Sequence, residues 1–145
     1  MKAFILDSSV YISYLNPLDT LHTKTKNFIN SITSPDIDFI VPIIVFLEVG
    51  NVLQKILPQF RNDDLLRFFE DHTIINLDIE LAQQMLTIFK HFNLKTSDAI
   101  IVACSKMENA TLVTWDEKLL KEAKKVADTQ TPKTFLSKAL LKRNP

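Results

Sequence analysis

Short apolar runs and amphipathic stretches alternate along the whole chain. Residues 2–6 read as a buried strand, and residues 9–15 as a short helix that Pro17 ends, because proline cannot continue a helix. Phe28, Ile29 and Ile32 share the inward face of an amphipathic helix over 22–33. Residues 38–41 read as a second strand, and Pro42 suits the entry to a helix over 43–57 that Pro58 stops. Asn62 is placed to cap a helix over 63–71, and Asp78 one that follows a third strand over 73–77 and runs to about residue 91. A helix over 96–107, a fourth strand over 111–114 and a lysine-rich helix over 116–126 come next. A weakly patterned fifth strand near 126–129 precedes a last helix around 133–142. Strands separated by helices predict a parallel sheet covered on both faces through right-handed crossovers.

Composition narrows the class. At 145 residues the chain is a single domain, 1–145, with no repeat, low-complexity tract or linker, and its 46% hydrophobic content is that of an ordinary globule. No stretch reaches the ~18 apolar residues of a membrane span. The first apolar run is cut by Asp7, which argues against a signal peptide, and a single cysteine fits a reducing compartment. These features predict a cytoplasmic protein. Cys104, on an apolar helix, reads as core packing. Gly50 is the only glycine, so no glycine-rich phosphate loop can be written, and its mid-helix place implies close backbone approach. Net charge is zero, yet residues 1–72 hold six basic against nine acidic residues, and residues 73–145 eleven against eight. That mild polarity excludes a bulk electrostatic DNA binder and leaves room for a local nucleic-acid groove. The basic tail Lys138-Ala139-Leu140-Leu141-Lys142-Arg143 reads as a solvated terminus or as a phosphate contact.

Four acids sit at the edges of the most apolar segments. Asp7 follows Ala3-Phe4-Ile5-Leu6, and Glu48 lies inside Val45-Phe46-Leu47-Glu48-Val49. Asp98 opens Ala99-Ile100-Ile101-Val102-Ala103, and Asp116 closes Thr111-Leu112-Val113-Thr114-Trp115. Taken singly, each has a structural explanation. Asp7 can cap the first helix, and Asp98 sits in the first turn of a helix capped by Thr96 or Ser97. Asp116 is either a cap itself or lies inside a Thr114–Glu117 capping box, and Glu48 shares a polar stripe with Asn51 and Lys55. None of these explains the joint placement. In open parallel sheets, sites form beyond the carboxyl ends of the strands, and all four acids can reach that rim.

Clustered carboxylates repel, and a shared divalent cation relieves them. Oxygen-only ligands select Mg²⁺ or Mn²⁺ over zinc; His22, His72 and His91 have no ligand spacing, and His72 and His91 read as helix-end residues. Such an ion engages phosphates and activates water.

The segments Phe4-Ile5-Leu6-Asp7-Ser8-Ser9-Val10, Phe46-Leu47-Glu48-Val49, Thr96-Ser97-Asp98-Ala99-Ile100-Ile101-Val102-Ala103 and Leu112-Val113-Thr114-Trp115-Asp116 resemble, in order and spacing, the PIN-domain nucleases. The similarity is greatest to the compact VapC-like toxins of toxin–antitoxin pairs and covers residues 3 to about 120. It implies a three-layer α/β/α fold with a central parallel sheet of four to five strands. It also implies Mg²⁺- or Mn²⁺-dependent endonucleolytic cleavage of RNA by a metal-activated water. By position, Asp7, Glu48, Asp98 and Asp116 match the family's acidic metal site, and Ser9 and Thr114 its small hydroxyl positions, orienting carboxylates or waters. A homodimer and a small antitoxin that plugs the groove are implied as partners. The helices over 43–57 and 63–71, with Leu53, Ile56, Leu57, Leu65, Phe68 and Phe69, are candidates for that surface, though core packing explains the same side chains. Trp115 either stacks a base or packs against the sheet edge.

Three other functions compete. An aspartate-nucleophile phosphatase of the haloacid-dehalogenase type needs a second Asp where Ser9 stands, and a covalent phosphoryl trap distinguishes it. A non-catalytic RNA- or partner-binding PIN domain lacks a reason to keep the whole acid set. A housekeeping RNA-processing nuclease keeps the chemistry, and a neighbouring reading frame for an antitoxin separates it from a toxin.

Overall fold

The computed structural model describes residues 1–143. Five parallel strands, β1 (Lys2–Leu6), β2 (Ile37–Pro42), β3 (Thr73–Ile75), β4 (Thr111–Val113) and β5 (Thr129–Gln130), form one sheet in the order β3-β2-β1-β4-β5. The eight helices are α1 (Ser8–Leu15), α2 (His22–Ile32), α3 (Ile43–Ile56), α4 (Asn62–Phe68), α5 (Ile79–Phe89), α6 (Thr96–Met107), α7 (Glu117–Ala123) and α8 (Pro132–Arg143). They cover both faces in the three-layer arrangement of an α/β fold. α6 packs on β1, β2 and β4 with α5 beside it, while α2 and α8 pack together elsewhere. On the α8 side, Phe135 meets the buried Phe4 ring edge-on at 5.6 Å and Phe28 of α2 at 5.3 Å.

The central strand is apolar because it is covered on both faces: Phe4, Ile5 and Leu6 are fully buried, as are Leu112 and Val113 of its neighbour. β1 pairs with β2 through Phe4↔Phe39 and with β4 through Phe4↔Thr111. The chain therefore builds outward from β1 to β2 and β3, then crosses back to lay β4 on the other side. The reversal of strand order falls between β1 and β4, where an open α/β sheet forms its crevice.

Several local expectations shift. Asn62 is the first residue of α4 and not its cap; Arg61 takes that place, its backbone N–H donating to Asp64 Oδ2 at 2.9 Å. The cap of α6 is Lys95, with neither Thr96 nor Ser97 in that role. Of the two readings of Asp116, the cap is realised: its Oδ1 accepts from Leu119 N at 2.9 Å, and α7 begins at Glu117. Asp78 caps α5 as expected, accepting from Leu81 N at 2.8 Å. The fifth strand lies at Thr129–Gln130, later than its pattern suggested. Gly50 allows the predicted close approach, since a Cβ there would come within 2.9 Å of Leu65 Cδ2 on α4.

The surface assigned to α3 and α4 is corrected. Leu53, Leu65 and Phe69 are core residues, and Leu57 and Phe68 pack against the core. Only Ile56 of that set is exposed; the apolar side chains facing outward here are Leu47 and Leu66. His72 lies near a helix end, as expected, its backbone N–H donating to the carbonyl of Phe69, the C-cap of α4, at 3.0 Å. It enters an aromatic cluster with Tyr11, Phe68 and Phe69, where burial lowers its pKa. Cys104 is buried as expected, and burial pushes its thiol up to about 12.

Candidate functional site at the carboxyl rim of the sheet

The site begins where β1 ends. Asp7 is only 4% exposed, and its backbone N–H extends the sheet by donating to Val113 O at 2.9 Å. It stands at the cap position of α1, yet its side chain makes no capping bond. The carboxylate instead receives hydroxyls: Ser9 Oγ donates to Oδ2 at 2.8 Å and Thr114 Oγ1 to the same oxygen at 2.9 Å. Buried carboxylates need such donors, because an unsatisfied buried charge costs several kcal/mol or more. Ser9 Oγ also accepts from Trp115 N at 3.1 Å, and Thr114 Oγ1 accepts from Asp116 N at 2.9 Å. Ser9 and Thr114 thus tie the end of β1 to the loop after β4. Both hydroxyls brace the Asp7 carboxylate.

Glu48 comes from the first half of α3, whose neighbours Val45 and Val49 are fully buried. Its Oε2 accepts from Ser8 Oγ at 2.9 Å, while Oε1 is buried with no hydrogen-bond partner. Burial raises its pKa; the Ser8 hydrogen bond and the Lys95 charge lower it, and Asp7 raises it. Asp98 sits in the first turn of α6 with Lys95 Nζ 3.9 Å from Oδ2. Its pKa rises from 3.8 to about 6, chiefly through burial; Lys95 opposes the rise, and the charges of Asp7, Asp116 and Glu48 add to it. The four acids drawn from four elements therefore act on one another across the rim. Asp116 is the exposed member, with one oxygen committed to capping α7.

Ser8 and Lys95 are members of the site that sequence reasoning did not single out. Ser8 lay inside a recognised segment, but its partner is forty residues away and left no local trace. Lys95 read only as a residue before a helix. Trp115 packs against the core, and its indole N–H donates to the buried Thr25 hydroxyl at 2.9 Å. That hydroxyl is also bonded to Ser13 at 2.9 Å, so the ring is held in place.

Among the described residues, no three His, Cys, Asp or Glu side chains are grouped so as to hold a metal ion. The all-oxygen donor set nonetheless suits a hard cation that stays largely hydrated. Mg²⁺ keeps several waters and takes only one or two carboxylates directly, so it needs no closed protein cage. Glu48 offers an oxygen with no partner, and burial together with carboxylate repulsion holds Asp98 above its ordinary pKa. A bound cation would relieve both.

An open parallel sheet with acids from four elements along its carboxyl rim, at the reversal of strand order, defines an α/β protein with an acidic rim. The PIN domain family model matches residues 4–126, and the chain belongs to that family. Comparison with curated proteins gives no match. Among solved structures, a toxin–antitoxin complex from Klebsiella pneumoniae is similar at a TM-score of 0.68 and 19% identity, over 88% of this chain and 96% of that one. VapC20 of Mycobacterium tuberculosis, a sarcin–ricin-loop-cleaving toxin, is similar at 0.66 and 14%, over 80% and 92%. DNA-bound VapBC from Salmonella typhimurium gives 0.65 and 16%, over 91% and 99%. These likenesses share the fold with VapC toxins.

Proposed function

We propose that this PIN domain is a metal-dependent endoribonuclease and the toxin of a toxin–antitoxin pair. The observation that carries this reading is the acid set along the carboxyl rim: Ser8 Oγ donates to Glu48 Oε2 at 2.9 Å and approaches Asp7 Oδ1 at 3.5 Å, and the charges of Asp7, Glu48 and Asp116 all bear on Asp98. Asp7, Glu48, Asp98 and Asp116 are the residues that would hold Mg²⁺ or Mn²⁺, directly or through water. When bound, the ion supplies charge neutralisation at the attacked phosphate and a water of lowered pKa. The protein's own contribution is positional. Ser9 and Thr114 fix Asp7, Ser8 fixes one oxygen of Glu48, and the α7 backbone fixes one oxygen of Asp116. Lys95, exposed at the mouth beside Asp98, is the cation placed to meet a phosphate oxygen.

The similar complexes named above contain antitoxins, which supports a small protein partner. An apolar hollow of about 380 Å³ between α3 and α4, bordered by Phe46, Leu47, Leu65 and Leu66, supports a seat for it there. A second hollow of about 220 Å³ between α5 and α6, with Leu77 and Leu86 exposed, supports a homodimer. Among the described residues no helix is long and apolar enough to cross a membrane.

The test is cleavage of single-stranded RNA by antitoxin-free protein with Mn²⁺, with chelator, and in D7N and D98N. Cleavage that chelator removes, and that both substitutions reduce by roughly 10²–10⁴-fold, supports the reading. Full activity in both folded variants rejects it.

A further inference from the structure

An acidic crevice repels the polymer it is proposed to cut, so the attraction for RNA must come from elsewhere on a chain of zero net charge. α7 interleaves its lysines with Glu117 and Glu122, but α8 carries Lys133, Lys138, Lys142 and Arg143 with no acid. Lys138 and Lys142 converge with Lys2 of β1 on a groove of about 250 Å³ completed by Gln130, Phe135 and Ala139. Among the described residues, none of these three lysines has a carboxylate partner; the two ion pairs are Lys95–Asp98 and Lys125–Glu122. Lys2 is also pre-placed. Its ammonium lies 5.0 Å from the Phe4 ring centroid and 5.2 Å from that of Phe135, two cation–π contacts that leave its N–H donors free. Of the acids at this end of the sheet, Asp128 accepts from Thr111 at 2.8 Å and from Gln130 at 3.4 Å and lines a different hollow, Asp38 accepts from Thr73 at 2.9 Å, and Asp36 meets Lys2 only through its backbone carbonyl at 3.1 Å.

We propose that the Lys2–Lys138–Lys142 groove is a backbone-binding subsite for single-stranded RNA, outside the acidic crevice. The proposal rests on the ribonuclease reading for the identity of the polyanion. Lys2 opens the strand that Asp7 follows, so groove and crevice are separated by about 16 Å along β1, a span for flanking nucleotides and not for the scissile bond. The subsite reads no sequence. Its phosphate contacts supply affinity and direction, as backbone contacts generally do.

The experiment measures binding of a labelled single-stranded RNA of about 16 nucleotides by anisotropy, in EDTA so that cleavage plays no part. The K2Q/K138Q/K142Q variant is expected to flatten the slope of log K against log salt by about 2 and to weaken binding about a hundredfold at 0.1 M salt. K2R/K138R/K142R should retain wild-type binding, which separates lost charge from lost fold. A matched variant, K24Q/K26Q/K55Q, removes the same charge from α2 and α3, outside the groove, and should leave the slope unchanged. An unaltered slope in the first variant overturns the subsite, as does equal flattening in the matched control. Lysine-dependent binding of duplex DNA without lysine-dependent binding of RNA overturns the assignment to RNA. Because no cleavage is read, an active nuclease with an unaltered slope refutes this subsite alone, whereas cleavage that D7N and D98N both leave intact refutes the ribonuclease reading alone.

Discussion

The crevice has two unlike halves. Asp7 stands at the end of a central strand, buried, with two hydroxyls on one oxygen and its backbone in the sheet. Glu48 and Asp98 ride on helices that flank the sheet. One of them keeps a buried oxygen with no partner, and both are pushed toward protonation by burial. The strand-borne half is satisfied by the protein itself. The helix-borne half is left electrostatically incomplete, which is where a cation gains most. Architecture and chemistry are thus divided between residues that look alike in sequence.

That division is most exposed by removing each carboxylate in metal-free protein and measuring stability in urea. Asp98→Asn should raise the unfolding free energy by roughly 1–3 kcal/mol at pH 7, because a carboxyl held near 6 destabilises the folded state when ionised. Asp7→Ala should lower it by roughly 1–3 kcal/mol, since the Ser9 and Thr114 hydroxyls lose their buried acceptor. Equal signs for the two would erase the distinction between the halves.

The Asp98 effect also has a pH signature of definite sign. A raised carboxyl pKa means the folded state binds the proton more tightly than the unfolded chain. The stabilisation from protonation is therefore fully present below 3.8 and is lost as pH rises through about 6. The advantage of Asp98→Asn over the parent protein should be largest above pH 6 and vanish below about pH 4. A difference independent of pH would show that the substitution acts through packing.

Smaller effects sharpen the comparison further. Thr114→Val removes one of the two donors to Asp7 Oδ2 and the acceptor for Asp116 N, and should cost roughly 1–2 kcal/mol in the same assay. Ser8→Ala frees Glu48 Oε2 and should change stability by less, about 0.5–1.5 kcal/mol, because that pair is only part-buried. A Ser8→Ala cost above that of Thr114→Val would place the rigid anchor on α3 instead of β1.

The sequence made the strand-borne half plain and the helix-borne half only in outline. Asp7 and Asp116 stand directly beyond apolar runs, so the end of a strand predicts where their backbones lie. The caps Asp78 and Asp116 were legible for the same local reason. Arg61 and Lys95 were not, because neither caps with its side chain and position alone marks them. Phase was the other loss. The apolar pattern left Leu65 and Phe69 open to both a surface and a core role, and the fold buries both, with Leu65 against Gly50 and Leu66 outside. Partners such as Ser8 and Glu48 meet only after the sheet has formed, and no window of sequence contains both.

The order of strands gives the crevice a birth date. β4 fills the place beside β1 only after β2 and β3 have been made, and the Thr114 hydroxyl reaches Asp7 across 107 positions of chain. Until that segment has emerged and docked, β1 has an open edge and its aspartate has no brace from the far side. The acidic rim is therefore left unfinished while β2, β3 and the helices between them are made, and it is completed only when β4 docks.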